Sequence, residues 1–208
     1  MTQGKFITLE GIDGAGKSTQ LTWIVELLQR AGLHTVLTRE PGGTALGEQL
    51  RALLLDKSMT MHPETEALLM FAARREHLDK VILPALAQGQ WVISDRFTDA
   101  SFAYQGGGRG LDTAKLEVLE HWVQGVLQPD LTLYFDVPVE VGQQRVSQIK
   151  DVDRFEKEQA GFFQKVRAAY LDRARQFPGR IKIIDSSQSL AEVKAAVEQT
   201  LQPLLNHG

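Results

Sequence analysis

Gly11-Ile12-Asp13-Gly14-Ala15-Gly16-Lys17-Ser18 lies between the apolar run Phe6-Ile7-Thr8-Leu9 and an amphipathic stretch that begins near Ser18. It fits the pattern G-x-x-x-x-G-K-[ST] in the strand-then-helix context that a phosphate-binding loop requires. Glycines let backbone N–H groups curl around a phosphate, Lys17 supplies a point charge to the outer phosphates, and the Ser18 hydroxyl can ligate Mg2+. The helix N-terminus behind the loop adds partial positive charge. From average residue usage, the pattern alone arises by accident in about one chain in a hundred of this length, before its flanking elements are demanded.

Outward from the loop, short β-rich runs alternate with amphipathic helical stretches. Strands are predicted at Phe6 to Leu9, Thr35 to Thr38, Trp91 to Ser94, Leu131 to Phe135 and Ile181 to Ile184, each apolar enough to be covered on both faces. Helices are predicted at Ser18 to Ala31, Thr44 to Leu55, Glu64 to Leu83 before Pro84, Thr113 to Val126, Val139 to Gln148, Gln159 to Gln176 and Leu190 to Leu205. The expected fold is α/β, a five-stranded parallel sheet covered by helices on both faces, with residues 1–208 forming a single domain. No repeat, low-complexity segment or dividing linker interrupts it.

Composition narrows the function classes. The 208 residues are 43% hydrophobic and 24% charged, ordinary for a soluble globule, and the net charge of −3 gives no general basic field. Tight nonspecific binding to nucleic acid is therefore not expected, and any anion site must be local. The absence of cysteine excludes a disulfide framework and thiolate zinc sites. No apolar stretch approaches the roughly 18 residues of a membrane helix, and Met1 to Lys5 open straight into a strand-like run without a signal peptide. A cytoplasmic protein is the expectation.

In open parallel sheets ligands collect beyond the carboxyl ends of the strands, where Glu10, Arg39, Asp95 and Asp136 are expected. Asp95 is suited to hold Mg2+ directly or through water, and Arg96 to grip phosphate oxygens bidentately. Arg39 stands at the same edge, with Pro41-Gly42-Gly43 as the turn that holds it; the alternative is a loop arginine paired to Glu40. On the helix from Glu64, Phe71 and Arg74 share a face at i and i+3. Phe71 could stack on a nucleobase while Arg74 donates to a carbonyl such as thymine O4, a contact unfavourable for the amino group of cytosine. The competing view makes Phe71 ordinary core and Arg74 an exposed helix charge.

Taken in order, Gly11 to Thr19, Thr38-Arg39-Glu40-Pro41-Gly42-Gly43-Thr44, Met70-Phe71-Ala72-Ala73-Arg74, Asp95-Arg96-Phe97, Ala103-Tyr104-Gln105-Gly106-Gly107-Gly108-Arg109-Gly110 and Asp153-Arg154-Phe155-Glu156 resemble the motifs of bacterial thymidylate kinases over nearly the whole chain. The resemblance implies a P-loop kinase fold with a short lid at about 143–155, and the reaction ATP plus dTMP giving ADP plus dTDP in the supply of dTTP for DNA replication. It implies that Gly11, Ile12, Asp13, Gly14, Ala15, Gly16, Lys17, Ser18 and Thr19 surround the ATP phosphates, with Mg2+ on Ser18 and Asp95. It further implies Asp13 on the sugar 3′-hydroxyl, Arg39 and Arg96 on the dTMP phosphate, Phe71 stacked on thymine, and Arg74 on O4. Ser101 and Gln105 complete the base contacts, and Tyr104 crowds the sugar 2′ position. A homodimer is implied as well, through apolar stripes on the helices at Glu64 to Leu83 and Thr113 to Val126.

The lid departs from the pattern. Relatives with glycine at the position of Gly14 usually supply several lid arginines, whereas Ser147 and Ile149 stand where arginine is common. The expected cations for transfer are Lys17, Arg96 and the segment from Arg145 to Arg154, with Arg154 on phosphate and Arg145 packed on adenine; Lys150 could act only as a point charge. Another small P-loop kinase, acting on a different nucleoside monophosphate or on shikimate, for which Gly106 to Gly108 could be a sugar-binding turn, and a nucleotide switch or motor are the competing classes. Glu40 to Gly43 and Arg74 argue against the first, and the lack of the guanine-reading Asn-Lys-x-Asp argues against a guanine-nucleotide switch.

Overall fold

The computed structural model describes residues 4–147, 154–155 and 158–206. Five parallel strands, β1 (Phe6–Glu10), β2 (Thr35–Arg39), β3 (Trp91–Asp95), β4 (Leu131–Asp136) and β5 (Ile181–Asp185), form one sheet in the order β2-β3-β1-β4-β5. The helices are α1 (Lys17–Arg30), α2 (Ala45–Leu55), α3 (Pro63–His77), α4 (Leu83–Ala87), α5 (Thr98–Ser101), α6 (Thr113–Gln124), α7 (Val139–Val146), α8 (Ala160–Gln176) and α9 (Leu190–Asn206). The expected α/β class and five-stranded parallel sheet are both present.

Side-chain alternation along the strands builds two cores. Ile7, Leu9 and Ile93 face Ile24 and Leu28 of α1 and Val197 and Leu201 of α9, whereas Phe6 and Val92 face Phe71 of α3 and Leu116 of α6. The central strands β1, β3 and β4 are buried almost throughout. The edge strands are not, and Leu37 on β2 and Ile183 on β5 are each 50% exposed, which corrects the expectation that all five are covered on both faces. An edge strand has a neighbour on one side only, so helices packed on the sheet centre leave it partly open.

Every strand runs one residue past its expected end, finishing in Glu10, Arg39, Asp95, Asp136 or Asp185. The parallel ladder continues there regardless of side-chain polarity, so Leu9 and Arg39 both register with Asp95. Pro84 does not end the third helix: after α3 the chain widens into a π-helical turn, Leu78–Ile82, and α4 takes Pro84 in its first turn.

The glycine-rich Ala103 to Gly110 stretch, which alone reads as a surface loop, is largely a π-helical segment, Phe102–Gly108, continuing α5. It lies so close to α8 that a Cβ on Gly107 would stand 2.6 Å from the Ala169 Cβ and 2.9 Å from the Lys165 carbonyl oxygen. Of the lid expectations, Gln148, Ile149, Lys150, Asp153 and Glu156 lie outside the described residues.

Candidate active site

The loop after β1 is held from behind. Gly14 has φ 79°, and a Cβ there would meet the Gly142 carbonyl oxygen of α7 at 2.2 Å, so no other residue fits without moving α7. A loop arginine at this position is sterically excluded. Arg145, three residues along α7, donates instead to the Gly14 carbonyl at 3.1 Å and to the Ser186 carbonyl at 3.3 Å, spanning the phosphate loop and the turn after β5. Ile12 and Ala15 point into the core, leaving their backbone to the loop. Gly16, at φ 85°, caps α1, and Ser18 and Thr19 stand exposed in its first turn.

Lys17 is buried, and its ammonium donates to the carbonyls of Gly11 at 2.9 Å and Ile12 at 3.2 Å. Burial and the neighbouring Arg96 draw it below its ordinary pKa, opposed by Asp13, Asp95 and Glu10. Arg96 is the one non-glycine residue with positive φ among the described residues, at 70°. Backbone of this kind persists only where surroundings over-determine it: the Arg96 amide donates to the Leu9 carbonyl at 2.9 Å, and the Phe97 amide to Glu10 Oε1 at 2.7 Å. The result aims its guanidinium inward, with Nη2 donating to Asp13 Oδ1 at 2.7 Å and Nη1 to the Gly11 carbonyl at 3.1 Å, over the Tyr104 ring. Burial pushes the Asp13 carboxyl up, but Arg96 and Lys17 overcome it and hold Asp13 below its usual value.

Two chambers open on this core. The first, lined by Gly16, Lys17, Ser18, Asp95, Arg39 and Arg145 among others, is the phosphate side. In it Asp95 Oδ1 is buried without a hydrogen-bond partner among the described residues. The second is a half-open cleft between Met70, Arg74, Ser101, Tyr104, Gln105 and Phe155. Asp13, Glu40, Arg51 and Arg96 border both chambers.

In the second chamber Arg74 is 2% exposed and fully directed: Nε donates to Glu40 Oε2 at 2.7 Å and Nη2 to Ser101 Oγ at 3.1 Å. Glu40 is shared with His77 Nδ1 at 3.0 Å, and His77 Nε2 reaches Thr38 Oγ1 at 2.6 Å. Arg74 Nη1 remains buried without a partner among the described residues, a donor left for a ligand acceptor. The Tyr104 hydroxyl likewise makes no hydrogen bond among the described residues.

Several expectations need correction. Phe71 does share a face with Arg74, but the guanidinium lies 4.5 Å over its ring, and Phe71 is 1% exposed within the α3–α6 core. It lines neither chamber and cannot stack on a base; the neighbouring Met70 supplies the cavity wall. Arg154 does not reach the phosphate side: its Nη2 donates to Glu66 at 2.5 Å and its Nε to the Leu54 carbonyl at 2.8 Å. Arg39 pairs with Glu48 at 2.9 Å rather than with Glu40, and is half exposed at the phosphate chamber. Asp136, one of the strand ends, is taken up by a bidentate pair with Arg167 at 2.7 and 2.8 Å. Arg51 and Met70 escaped sequence reasoning. Arg51 donates to the Pro41 carbonyl at 2.9 Å, and its only sequence signal is that the helix capped by Thr44 starts just after the turn that follows Arg39.

The geometry suits transfer between two bound nucleotides, and comparison with known proteins agrees. The family model described as thymidylate kinase matches residues 9–197. The chain is 67% identical to the thymidylate kinase of Nitrosomonas europaea over 97% of its own length and 94% of that protein. It is 66% identical to that of Nitrosospira multiformis over 96% and 97%. A crystal structure of thymidylate kinase from Ehrlichia chaffeensis superposes with a TM-score of 0.79 at 37% identity, covering 96% of this chain and 99% of that one. A phosphate loop opening on a second chamber, together with a family-model match over most of the chain and relatives of such identity over nearly the full length, places this chain in the thymidylate kinase family.

Proposed function

We propose that the protein transfers the γ-phosphoryl group of ATP to dTMP, giving ADP and dTDP and so supplying dTTP synthesis. The observation that carries this reading is the pairing of chambers: a phosphate loop on one side, and on the other a slot in which Arg74 offers an N–H unpartnered among the described residues, meeting at Arg96, Arg51 and Asp13. ATP phosphates belong on the loop from Gly11 to Thr19, with Arg145 on the adenine side. The dTMP phosphate belongs at the junction, held by Arg96, Arg39 and Arg51, and Asp13 accepts from the sugar 3′-hydroxyl. Thymine enters between Met70 and the Ser101–Gln105 wall with O4 on Arg74, and Tyr104 leaves no room at the sugar 2′ position.

An oxygen of the acceptor phosphate attacks the γ-phosphorus in line, forming the new P–O bond as the bond to the β–γ bridging oxygen breaks and ADP departs with that electron pair. No side chain need remove a proton, since a phosphate monoester has its second pKa at about 6. Lys17 and Arg96 stabilise the charge spread over the moving group, and enclosure by Tyr104 and Phe155 keeps water from the acceptor position. Ser18 Oγ and Asp95 Oδ1, which has no hydrogen-bond partner among the described residues, are suitable ligands for Mg2+, which takes few protein ligands and several waters and, when bound, would neutralise donor phosphate charge.

A homodimer is part of the same reading. Leu68 on α3, Val118 and Trp122 on α6, and Val126 just beyond it are 53%, 67%, 79% and 96% exposed, an apolar group that a second copy would cover. No helix among the described residues is long and apolar enough to cross a membrane, and ATP as donor fits a cytoplasmic site of action. The test is a coupled ADP-release assay with ATP and Mg2+ against dTMP, dUMP, dCMP, dGMP, AMP, UMP and shikimate. Turnover strongest with dTMP is expected; activity only with another acceptor, or hydrolysis without one, overturns the reading.

A further inference from the structure

Glu66, in the first turn of α3, is a charged residue with only 1% of its surface exposed. Its two carboxylate oxygens serve three donors from distant parts of the chain. Oε1 accepts from Gln105 Nε2 at 2.8 Å and from Arg109 Nε at 3.3 Å, and Oε2 accepts from Arg154 Nη2 at 2.5 Å. Arg109 is itself anchored to Glu158 at 2.6 Å and lies over the Phe162 ring. None of these bonds belongs to phosphoryl transfer, yet the network ends at a side chain that lines the base chamber.

An amide presents a donor at one end and an acceptor at the other, and its surroundings decide which way it turns. A carboxylate paired with two guanidinium groups only accepts. Gln105 must therefore point its NH2 group at Glu66, which leaves its carbonyl Oε1, engaged in no hydrogen bond among the described residues, as the end available to a ligand. Thymine carries a hydrogen on N3 and a carbonyl at C4, and cytosine carries a lone pair on N3 and an amino group at C4. Arg74 supplies a donor for C4 and Gln105, so oriented, an acceptor for N3–H; cytosine is opposed at both positions.

We propose that Glu66 is a specificity-determining positioning residue, setting the polarity of the Gln105 amide so that the base chamber accepts a pyrimidine only with a hydrogen on N3. This rests on the reading of Gln105 as a base contact. Without the carboxylate the amide can rotate and offer its NH2 group instead, at which point the preference disappears. The role differs from packing because it selects one ring atom of the ligand.

The test compares dTMP with its 3-deaza analogue, in which N3–H is replaced by C–H, using dissociation constants from titration calorimetry on the full chain. The wild-type protein is expected to prefer dTMP by tenfold or more, and Glu66→Gln by threefold or less, with ATP affinity unchanged within twofold. Should Glu66→Gln not fold, Glu66→Asp reads the same ratio, since it keeps the charge for both arginines but withdraws the acceptor from Gln105. A wild-type preference retained within twofold in the variant overturns the role of Glu66 and leaves the Gln105 contact standing. No preference in the wild-type protein overturns the contact itself, and with it this inference. Absence of dTMP phosphorylation by the wild-type protein counts instead against the proposed function.

Discussion

Replacing Arg74 with Gln should produce two separable losses, one of stability and one of thymine recognition. Arg74 is 2% exposed and its Nε is 2.7 Å from a Glu40 carboxylate that is itself buried. Removing the cation strands that carboxylate with His77 as its remaining side-chain partner among the described residues, and breaking a buried pair costs roughly 3–5 kcal/mol. For a domain of this size each kcal/mol lowers Tm by about 2–4 °C, so a fall of roughly 6–20 °C is expected. Recognition loses one charge-assisted hydrogen bond, about 1.5–3 kcal/mol, which is roughly a 10- to 150-fold rise in the dTMP dissociation constant. The two are told apart by pairing Arg74→Gln with Glu40→Gln, which replaces the stranded carboxylate by a neutral amide. Thermal denaturation should recover at least half of the lost Tm in the double variant, while calorimetry should show dTMP still bound weakly and dCMP discrimination still reduced. Affinity that returns together with Tm would refute the reasoning, because Arg74 would then act on the base only through folding.

Lys17→Ala should lower turnover by about a hundredfold or more, by analogy with loss of one preorganised donor, in an ADP-release assay at saturating ATP and dTMP. Met70→Ala should weaken dTMP binding by about two- to tenfold through loss of a thioether–ring contact, whereas Phe71→Ala should cost about 3–5 kcal/mol of stability in denaturant titration; the reverse pattern would restore Phe71 as the base platform. Glu10 is pushed up to about 8 by burial and by Asp99, against the lowering effects of Tyr170, Arg96 and the Phe97 amide. Its folded state keeps a proton that the unfolded chain loses above the ordinary 4.5, so the stability it contributes is full below that value and is lost as pH rises to about 8. Measured as Tm against pH, Glu10→Gln should gain on the wild-type protein across that window, by up to about 1.4 kcal/mol per pH unit, and level off above it.

What could be read without coordinates was what local pattern encodes. The phosphate loop needs glycines and a lysine at fixed spacing, so Gly11 to Ser18 announced both the first strand and the first helix. The strands were legible because short β-rich runs alternate with helical stretches, although the polar residue ending each one was not, since backbone pairing carries Glu10, Arg39 and Asp95 into the ladder. Arg74 and Arg96 were singled out from their place on a helix face and at a strand end, Ser101, Tyr104 and Gln105 from the family resemblance, and all five line the second chamber.

Contacts that depend on how elements dock were decided only in three dimensions. One residue along a helix turns the side chain by about 100°, so Met70 rather than Phe71 meets the cavity once α3 is seated on the sheet. Charges choose partners across space, not along the chain: Glu40 turned inward to Arg74 and His77, Arg39 outward to Glu48, and Arg154 to Glu66. Gly14 reads in sequence as one more loop glycine, and only the passage of α7 across it, with Gly142 in contact, makes glycine obligatory there.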